Sequence, residues 1–158
     1  MKENKTLSTG GLAGASLRDR ANSSRRILVV DDDKDNRQLS VDVLAGSGYD
    51  VEAVQDGAAC WEIVQTRSYD LIITDNRMPR MTGMEVIEKL RSAGMAIPVI
   101  MATGCLPTYE LARKPWLKPD VLLEKPISTD DLLEAVKKVL PAPAKTRERM
   151  QIQPYPEF

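Results

Sequence analysis

Carboxylates follow two apolar runs of the chain at the point where each run ends. The run Ile-Leu-Val-Val leads directly into Asp31, Asp32 and Asp33, and the run Leu-Ile-Ile-Thr leads directly into Asp75. Carboxylates that lie close together repel one another, and burial adds the cost of losing water. A hard cation such as Mg²⁺, which prefers oxygen ligands, relieves both costs. The pattern therefore predicts a Mg²⁺ site built from acidic side chains.

The two apolar runs have the composition of strands that are buried on both faces. Short aliphatic and β-branched runs of this kind are typical of parallel sheets, in which helices cover both sides. The carboxyl ends of such strands border the crevice in which open α/β sheets bind ligands. Two neighbouring strands would therefore bring Asp31, Asp32 and Asp75 together.

Strands alternate with helices along the whole central part of the chain. The strands are predicted at about 27–31, 51–54, 70–74, 99–102 and 121–123, and segments with helical spacing of apolar residues separate them. This alternation predicts an α/β fold with one five-stranded parallel sheet and helices on both faces. Right-handed crossovers follow from the handedness rule for parallel strands.

The first helix can be placed from its capping residues and its apolar spacing. Asp35 or Asn36 is expected to cap its start, because a side-chain oxygen at that position accepts hydrogen bonds from free amides. Leu39, Val43 and Leu44 are expected to share its buried face.

The fourth helix is expected to be short. Pro107, Pro115 and Pro119 leave room for a helix only at about 108–114, because proline removes a donor and restricts the residue before it. The final helix is expected to begin at a capping box formed by the residues Ser128 and Asp131.

Composition excludes several classes of function. The 22 basic and 23 acidic residues nearly balance, which predicts no nucleic-acid partner. No apolar stretch approaches the roughly 20 residues of a membrane span, and the amino terminus lacks the apolar region of a signal peptide. We therefore expect a cytoplasmic protein with no membrane partner.

Histidine is absent from the chain, and cysteine is rare. The absence of histidine excludes Ser-His-Asp and Cys-His nucleophilic sites, histidine metal ligands and a phosphohistidine formed on this chain. Cys60 is expected to lie on a helix as a small apolar residue, and no disulfide with Cys105 is expected. Trp61 and Trp116 are expected to be packing residues.

Four motifs in order resemble the receiver domain of two-component response regulators. They are ILVVDD at 27–32, LIITDNRMPRMTG at 71–83, VIMAT at 99–103 and EKP at 124–126. The resemblance covers about residues 26–140. It implies a flavodoxin-like, doubly wound sheet in the order 2-1-3-4-5, in which the first and third strands are neighbours.

The polar ends of the chain set the expected domain limits. Residues 1–24 are rich in Gly, Ser and Thr, and residues 142–158 combine proline with charged residues. We expect a flexible amino-terminal extension at 1–24, a receiver domain at 25–141 and a flexible tail at 142–158.

The resemblance implies a metal site and a phosphoacceptor. Asp75 corresponds to the residue that accepts the phosphoryl group. Asp31 and Asp32 correspond to the residues that organise Mg²⁺, directly or through water. The backbone carbonyl of Arg77, two residues after the acceptor, would complete the metal shell.

Two further residues are implied to bind the phosphoryl group. Thr103 would donate a hydrogen bond to one phosphoryl oxygen, and Lys125 would pair with another. A carboxylate nucleophile must approach a group that is itself anionic, and a cation together with an ammonium group offsets that repulsion. The product, an acyl phosphate on Asp75, is labile, so the site is suited to signalling and possible autodephosphorylation rather than metabolic turnover.

Two features depart from the family pattern. Leu122 occupies the position at which many receivers carry a Tyr or Phe that rotates inward on activation. Residues 106–119, rich in proline, occupy the position of the fourth helix, which belongs to a surface that commonly changes on phosphorylation. Either the chain signals through another face, or this face is remodelled for a particular partner.

The expected function is phosphorelay signalling by a stand-alone, CheY-like receiver. The phosphoryl donor would be a sensor histidine kinase or a histidine phosphotransfer protein, and output would pass through contacts with a downstream protein of unknown identity. A degenerate receiver that acts as a phosphorylation-independent scaffold is an alternative. A haloacid-dehalogenase-like phosphatase is disfavoured, because Asp35 stands where its DxDx(T/V) motif needs Thr or Val.

Overall fold

A computed structural model describes residues 24–140. Within these residues, five parallel strands form a sheet in the order β2-β1-β3-β4-β5. The strands are β1 (Arg26–Val30), β2 (Asp50–Val54), β3 (Leu71–Thr74), β4 (Val99–Thr103) and β5 (Val121–Glu124). The predicted fold class and strand order are confirmed. The extensions predicted at 1–24 and 142–158 lie outside the described residues, apart from Ser24.

Helices connect the strands. They are α1 (Lys34–Gly46), α2 (Gly57–Val64), α3 (Gly83–Ser92), α4 (Thr108–Arg113) and α5 (Thr129–Val139), with a 3-10 turn at Pro115–Leu117. None of the helices in the described part of the chain is long and apolar enough to cross a membrane.

The core has one layer on each face of the sheet, which explains the continuous apolar runs of the central strands. Every residue of β3 and β4 is buried. One face packs against α2 and α3 through residues that include Leu28, Ile72, Cys60, Val86 and Leu90. The other packs against α1 and α5 through residues that include Ile27, Ile73, Leu44, Leu132 and Val136. Cys60 lies on α2 as a buried apolar residue, as predicted.

The start of α1 differs from the prediction. Asp33, not Asp35 or Asn36, is the cap, because its Oδ1 accepts hydrogen bonds from the Asp35 and Asn36 amides at 2.9 and 3.0 Å. Leu44 is buried, whereas Leu39 is 55% exposed. Leu39 lies on the wall of a cavity beside the carboxylates instead of in the core.

Side chains also cap α3 and α5. At α5, the Ser128 hydroxyl accepts a hydrogen bond from the Asp131 amide at 3.0 Å, as predicted. The reciprocal pair of bonds that defines a full capping box occurs instead at α3, between Thr82 and Glu85. The pattern Thr-x-x-Glu before an apolar helix is the sequence signal for it.

The segment between β4 and β5 contains the short helix predicted there. Pro107 precedes α4, where no side chain caps the helix, and α4 itself has no buried residue. Trp116 is 70% exposed, so its predicted packing role is wrong. The adjacent Leu117 takes that role, because only one face of a single turn can point into the core. Trp61 does pack against the core.

Candidate functional site

The register of β1 and β3 places the predicted site residues side by side. Val30 pairs with Thr74, the last residue of each strand. The Asp75 amide continues this pairing with a hydrogen bond to the Val30 carbonyl at 3.1 Å. The Asp31 amide donates a hydrogen bond to the carbonyl of Val54, at the end of β2, at 3.2 Å. The acidic residues therefore begin where the sheet ends.

Three carboxylates meet at this edge of the sheet. One oxygen from each of Asp31, Asp32 and Asp75 lies within 4.8 Å of the others. Asp31 is buried, Asp75 is half-buried and Asp32 is exposed. We call these three residues together with Lys125 the acidic site. Three hard oxygen donors at this spacing, partly open to solvent, fit a divalent cation that keeps some of its water.

Lys125 lies between two of the carboxylates. Its Nζ is 2.9 Å from Asp75 Oδ2 and 3.3 Å from Asp31 Oδ2. The Lys125 amide donates to the Thr103 carbonyl at 2.9 Å, which ties the residue to the end of β4, and the Lys125–Pro126 peptide bond is cis. Among the residues that the structure describes, the Lys125 ammonium is the one positive charge that forms an ion pair with the carboxylates of Asp31 and Asp75.

The electrostatics of the acidic site reflect its burial. Burial is the largest influence on the pKa of Asp31 and raises it. The hydrogen bond from the Asp33 amide and the nearby Lys125 lower this pKa, and the charge of Asp75 raises it, so that the net shift is upward. Burial alone would lower the pKa of Lys125, but its hydrogen bond to Asp75 and the charges of both carboxylates raise it. Lys125 is therefore held as an ammonium, yet one ammonium does not fully offset the cost of the buried Asp31 charge. An additional cation fits this deficit.

The segment after Asp75 is held by Asn76, a residue that sequence reasoning missed. The Asn76 amide donates to Asp75 Oδ1 at 2.6 Å, and its buried side-chain oxygen accepts from the Met84 amide at 3.0 Å. A Cβ at Gly83 would overlap the Asp75 carbonyl oxygen, so the chain returns in close contact with the acceptor. The only signal for Asn76 was an amide side chain next to Asp75.

Thr103 lies at the end of β4 and is 1% exposed. Its hydroxyl donates to the Cys105 carbonyl at 3.2 Å and accepts from the Cys105 amide at 3.3 Å. The side chain is thus bonded within its own turn. Among the described residues, no hydrogen bond joins it to the carboxylates.

Two arginines flank the acidic residues. Arg37, on α1, donates from Nη1 to the Asp31 carbonyl at 2.7 Å, a contact that sequence reasoning missed. Its position six residues after Asp31, on the first turns of the helix that follows, was the available signal. Arg77 is exposed; its backbone carbonyl, the predicted metal ligand, lies in the loop that follows Asp75.

A cavity of about 190 Å³ opens beside the site. Asp31, Asp75 and Lys125 line it together with residues of the central strands, of α1 and of the segment from Pro126 to Leu132, among them Leu39 and Val43. The carboxylates are therefore accessible from one side of the molecule.

Comparison with known proteins identifies the family. Residues 27–137 match the response regulator receiver domain. The transcriptional regulatory protein DltR of Streptococcus agalactiae is 33% identical over 112 residues, which are 71% of this chain and 50% of DltR. The chain thus spans about half the length of this relative.

Solved structures show the same fold. The chemotaxis response regulator CheY4 of Vibrio cholerae superposes with a TM-score of 0.67 at 30% identity, over 75% of this chain and 100% of CheY4. The response regulator TrrA of Thermotoga maritima, solved in complex with Mg²⁺-BeF, has a TM-score of 0.66 at 32% identity and covers 73% of this chain and 99% of its own. The chain belongs to the response regulator receiver domains, a family of signalling proteins with the CheY-like flavodoxin fold.

Proposed function

We propose that this chain is a phosphorelay receiver in which Asp75 accepts a phosphoryl group in a Mg²⁺-dependent reaction. The observation that carries the proposal is the contact of one carboxylate with both a cluster of acidic oxygens and a lysine ammonium. Asp75 is 2.9 Å from Lys125 and within 4.8 Å of the oxygens of Asp31 and Asp32. The Lys125 ammonium, together with a cation held by the acidic oxygens, would offset the repulsion between an anionic phosphoryl group and an anionic nucleophile.

The metal would be held by acidic side chains and one carbonyl. Asp31, Asp32 and Asp75 supply carboxylate oxygens, and the Arg77 carbonyl supplies a neutral one. When bound, Mg²⁺ neutralises charge on the carboxylates and on the phosphoryl oxygens. The relative TrrA was solved with Mg²⁺-BeF, which supports the choice of metal.

Asp75 is poised to act as a nucleophile because neither of its oxygens is fully occupied. Oδ1 accepts from the Asn76 amide and Oδ2 from Lys125, and each carboxylate oxygen has about two lone pairs. In the transfer, one Asp75 oxygen bonds to phosphorus while the bond from phosphorus to the donor's histidine nitrogen breaks. The nitrogen keeps that electron pair, and the product is an aspartyl phosphate.

Lys125 and Thr103 would bind the phosphoryl oxygens. Lys125 already lies against the acceptor, so it needs little movement to pair with a phosphoryl oxygen. The Thr103 hydroxyl donates to the Cys105 carbonyl, so it must leave that carbonyl before it can donate to the phosphoryl group. This exchange would couple the state of Asp75 to the turn after β4.

The proposed donor and output accord with the family match. A sensor histidine kinase or a histidine phosphotransfer protein would supply the phosphoryl group to a receiver domain of this kind. We propose a receiver domain with the limits 25–141 and output through contacts with a downstream protein. The matching region makes up 50% of DltR, so receivers also occur within longer proteins.

A phosphorylation-independent scaffold is the second candidate. The half-buried Leu122 packs against the core where an aromatic switch would rotate, and α4 buries none of its residues. Both features favour a chain that binds its partner without a phosphorylation-dependent change. The intact acidic site favours the receiver function.

Phosphorylation by a small donor distinguishes the two functions. The chain is incubated with acetyl phosphate, with Mg²⁺ or with a chelator, and its intact mass is measured beside Asp75→Asn and the exposed control Asp42→Asn. We expect one phosphoryl group on the parent and on Asp42→Asn, only with Mg²⁺, and none on Asp75→Asn. An unmodified parent, with acetyl phosphate and with a phosphohistidine donor, would favour the scaffold.

A further inference from the structure

We call residues 76–82, which lie between Asp75 and α3, the acceptor loop. Asn76 is one anchor of this loop, and a second anchor lies further along it. Its two ends are joined by the bond from the Gly83 amide to the Asn76 carbonyl at 2.9 Å. Its middle is fixed by Arg80, which contacts a different part of the fold. Arg77, whose carbonyl is the proposed metal ligand, lies between these anchors.

Arg80 adopts a backbone conformation that its residue type does not favour. Its φ is 68°, and it is the one non-glycine residue with a positive φ in the described part of the chain. Side chains with a Cβ disfavour the left-handed region, and only Gly, Asn and Asp enter it readily. A hydrogen bond from the Met81 amide to the Pro79 carbonyl at 2.8 Å closes the turn at Arg80. The Arg80 side chain adds a contact that holds this turn against the rest of the fold.

The contact that holds Arg80 is a forked ion pair. Arg80 Nε is 3.0 Å from Asp56 Oδ2, and Nη2 is 3.0 Å from Asp56 Oδ1. Two parallel bonds of this kind fix direction as well as distance. Asp56 is 5% exposed, so its carboxylate is a fixed point rather than a mobile surface group.

Asp56 is itself part of a rigid element. Its Oδ1 accepts from the Ala59 amide at 2.8 Å and so caps α2. The bonds from Ala59 and Arg80 hold the pKa of Asp56 below its ordinary value. A Cβ at Gly57 would overlap the Met81 carbonyl oxygen, so the start of α2 and the acceptor loop touch through their backbones. The loop is thus docked on α2 by a close contact and an ion pair.

We infer that the Asp56–Arg80 ion pair is a positioning device for the metal site: it docks the acceptor loop on the start of α2 and thereby fixes the loop that carries the Arg77 carbonyl. This inference rests on the proposed function, in which that carbonyl is a Mg²⁺ ligand. Neither Asp56 nor Arg80 is among the proposed ligands of the metal or of the phosphoryl group. Mutation of a residue that orients a metal ligand without touching the metal typically lowers metal affinity by about tenfold to a hundredfold.

The test is Mg²⁺ binding by the full chain, measured by titration calorimetry. Arg80→Asn removes the guanidinium but keeps a residue that tolerates the left-handed conformation, and we expect about tenfold weaker binding. Arg80→Lys keeps the charge without the fork, so its affinity should be intermediate. Asp56→Asn keeps an oxygen to cap α2 and should weaken binding like Arg80→Asn, with no further loss in the double variant.

A matched control comes from the opposite end of α2. Arg67 is 55% exposed and bonds to Glu52 at 2.7 Å, whereas Arg80 is 60% exposed. Arg67→Asn therefore makes the same substitution in an arginine of similar exposure, away from the acceptor loop. It should leave Mg²⁺ affinity unchanged.

A purely structural role gives a different result. Hydrogen exchange of the Gly83 and Met84 amides and urea unfolding are measured on each variant. Lower stability with unchanged Mg²⁺ affinity in Arg80→Asn and Asp56→Asn would overturn the inference and leave the proposed function intact. A parent chain that bound no Mg²⁺ would overturn both.

Discussion

The acidic site and residues 106–119, which belong to the connection between β4 and β5, are stabilised by different kinds of contact. At the acidic site, amides and charged side chains converge on carboxylates, and the following helix, α3, starts with a full capping box. In the 106–119 segment, α4 has six residues, no side-chain cap and no buried residue. Two of the three large apolar side chains that are exposed in the described part of the chain lie there, Tyr109 and Trp116.

In the proposed function, this difference distinguishes the site of the chemistry from a segment that can differ with the partner. Each group of the acidic site is constrained by the others, so few other residues could replace it. The 106–119 segment is attached through the buried residues Pro107, Leu117 and Pro119, and Leu111 also packs against the core. Its exposed residues contact solvent, so they are free to differ without loss of the fold. A receiver can therefore keep one phosphoacceptor site while its signalling surface changes to suit a particular partner.

The largest expected effect comes from removing the Lys125 ammonium, which forms ion pairs with Asp31 and Asp75. Lys125→Met should slow phosphorylation by acetyl phosphate by about two to three orders of magnitude, because one preorganised donor to a reacting group is worth that much. The rate is followed by intact mass. Lys138→Met, an exposed lysine on α5, should react like the parent. A Lys125→Met rate within about threefold of the parent would show that the lysine is not part of the site.

Two neighbouring residues of the 3-10 turn test how the 106–119 segment is attached. Leu117 is 4% exposed and Trp116 is 70% exposed. Leu117→Ala should lower the free energy of unfolding by about 2 to 5 kcal/mol, and Trp116→Ala should change it by less than about 0.5 kcal/mol. Urea unfolding measures both. Equal losses would mean that the exposed tryptophan is a structural residue and that the two regions are not as different as proposed.

Gly83 and Gly104 differ in the space that a side chain would have, and so test how tightly each region is packed. A Cβ at Gly83 would meet the Asp75 carbonyl and the Met101 side chain, whereas nothing lies within 4 Å of a Cβ at Gly104, which precedes the 106–119 segment. Gly83→Ala should cost about 1 to 3 kcal/mol, and Gly104→Ala less than about 0.5 kcal/mol. Chemical denaturation of both variants checks this. A tolerated Gly83→Ala would mean that the acceptor loop can relax.

The smallest expected effect is the change with pH in the stability that an ion pair contributes. Asp56, on which the acceptor loop docks, has a pKa below its ordinary value of 3.8, chiefly because of its hydrogen bond from the Ala59 amide, with Arg80 adding to the effect. A carboxyl whose pKa is lower in the folded state stabilises the fold above its unfolded pKa, and this contribution disappears as pH falls through the folded value. The difference in unfolding free energy between parent and Asp56→Asn should therefore be largest above about pH 4 and shrink in stronger acid.

The exposed pair Lys114–Glu88 provides the contrast from the other region. Its atoms are 2.7 Å apart, but both side chains are nearly half exposed, and such pairs contribute about 0 to 1 kcal/mol. Glu88→Gln should have little effect at any pH. An acid-dependent loss as large as that of Asp56→Asn would remove the distinction between the two ion pairs.

The sequence predicted what short-range patterns determine. Continuous apolar runs indicated β1 and β3, and their carboxylate ends indicated Asp31, Asp32 and Asp75, which the fold brings together. Helix ends were less certain, because Asp33, Asp35 and Asn36 all have side chains able to cap.

Contacts between distant segments could not be predicted. The Arg80–Asp56 pair joins residues 24 positions apart, and neither residue type nor spacing indicates it. The packing difference between Trp116 and Leu117 depends on which way one turn faces, which proline spacing does not determine. The hydrogen bond of Thr103 to Cys105 likewise depends on the local conformation of the turn after β4.

The central claim is that Asp75 is the residue that carries the phosphoryl group, and locating that group tests it most directly. The chain is treated with acetyl phosphate and Mg²⁺, the acyl phosphate is reduced with borohydride, and the resulting homoserine is located by peptide mass spectrometry. The account predicts conversion at Asp75 and at none of Asp31, Asp32 or Asp33. Conversion at another aspartate, with Asp75 unmodified, would contradict it.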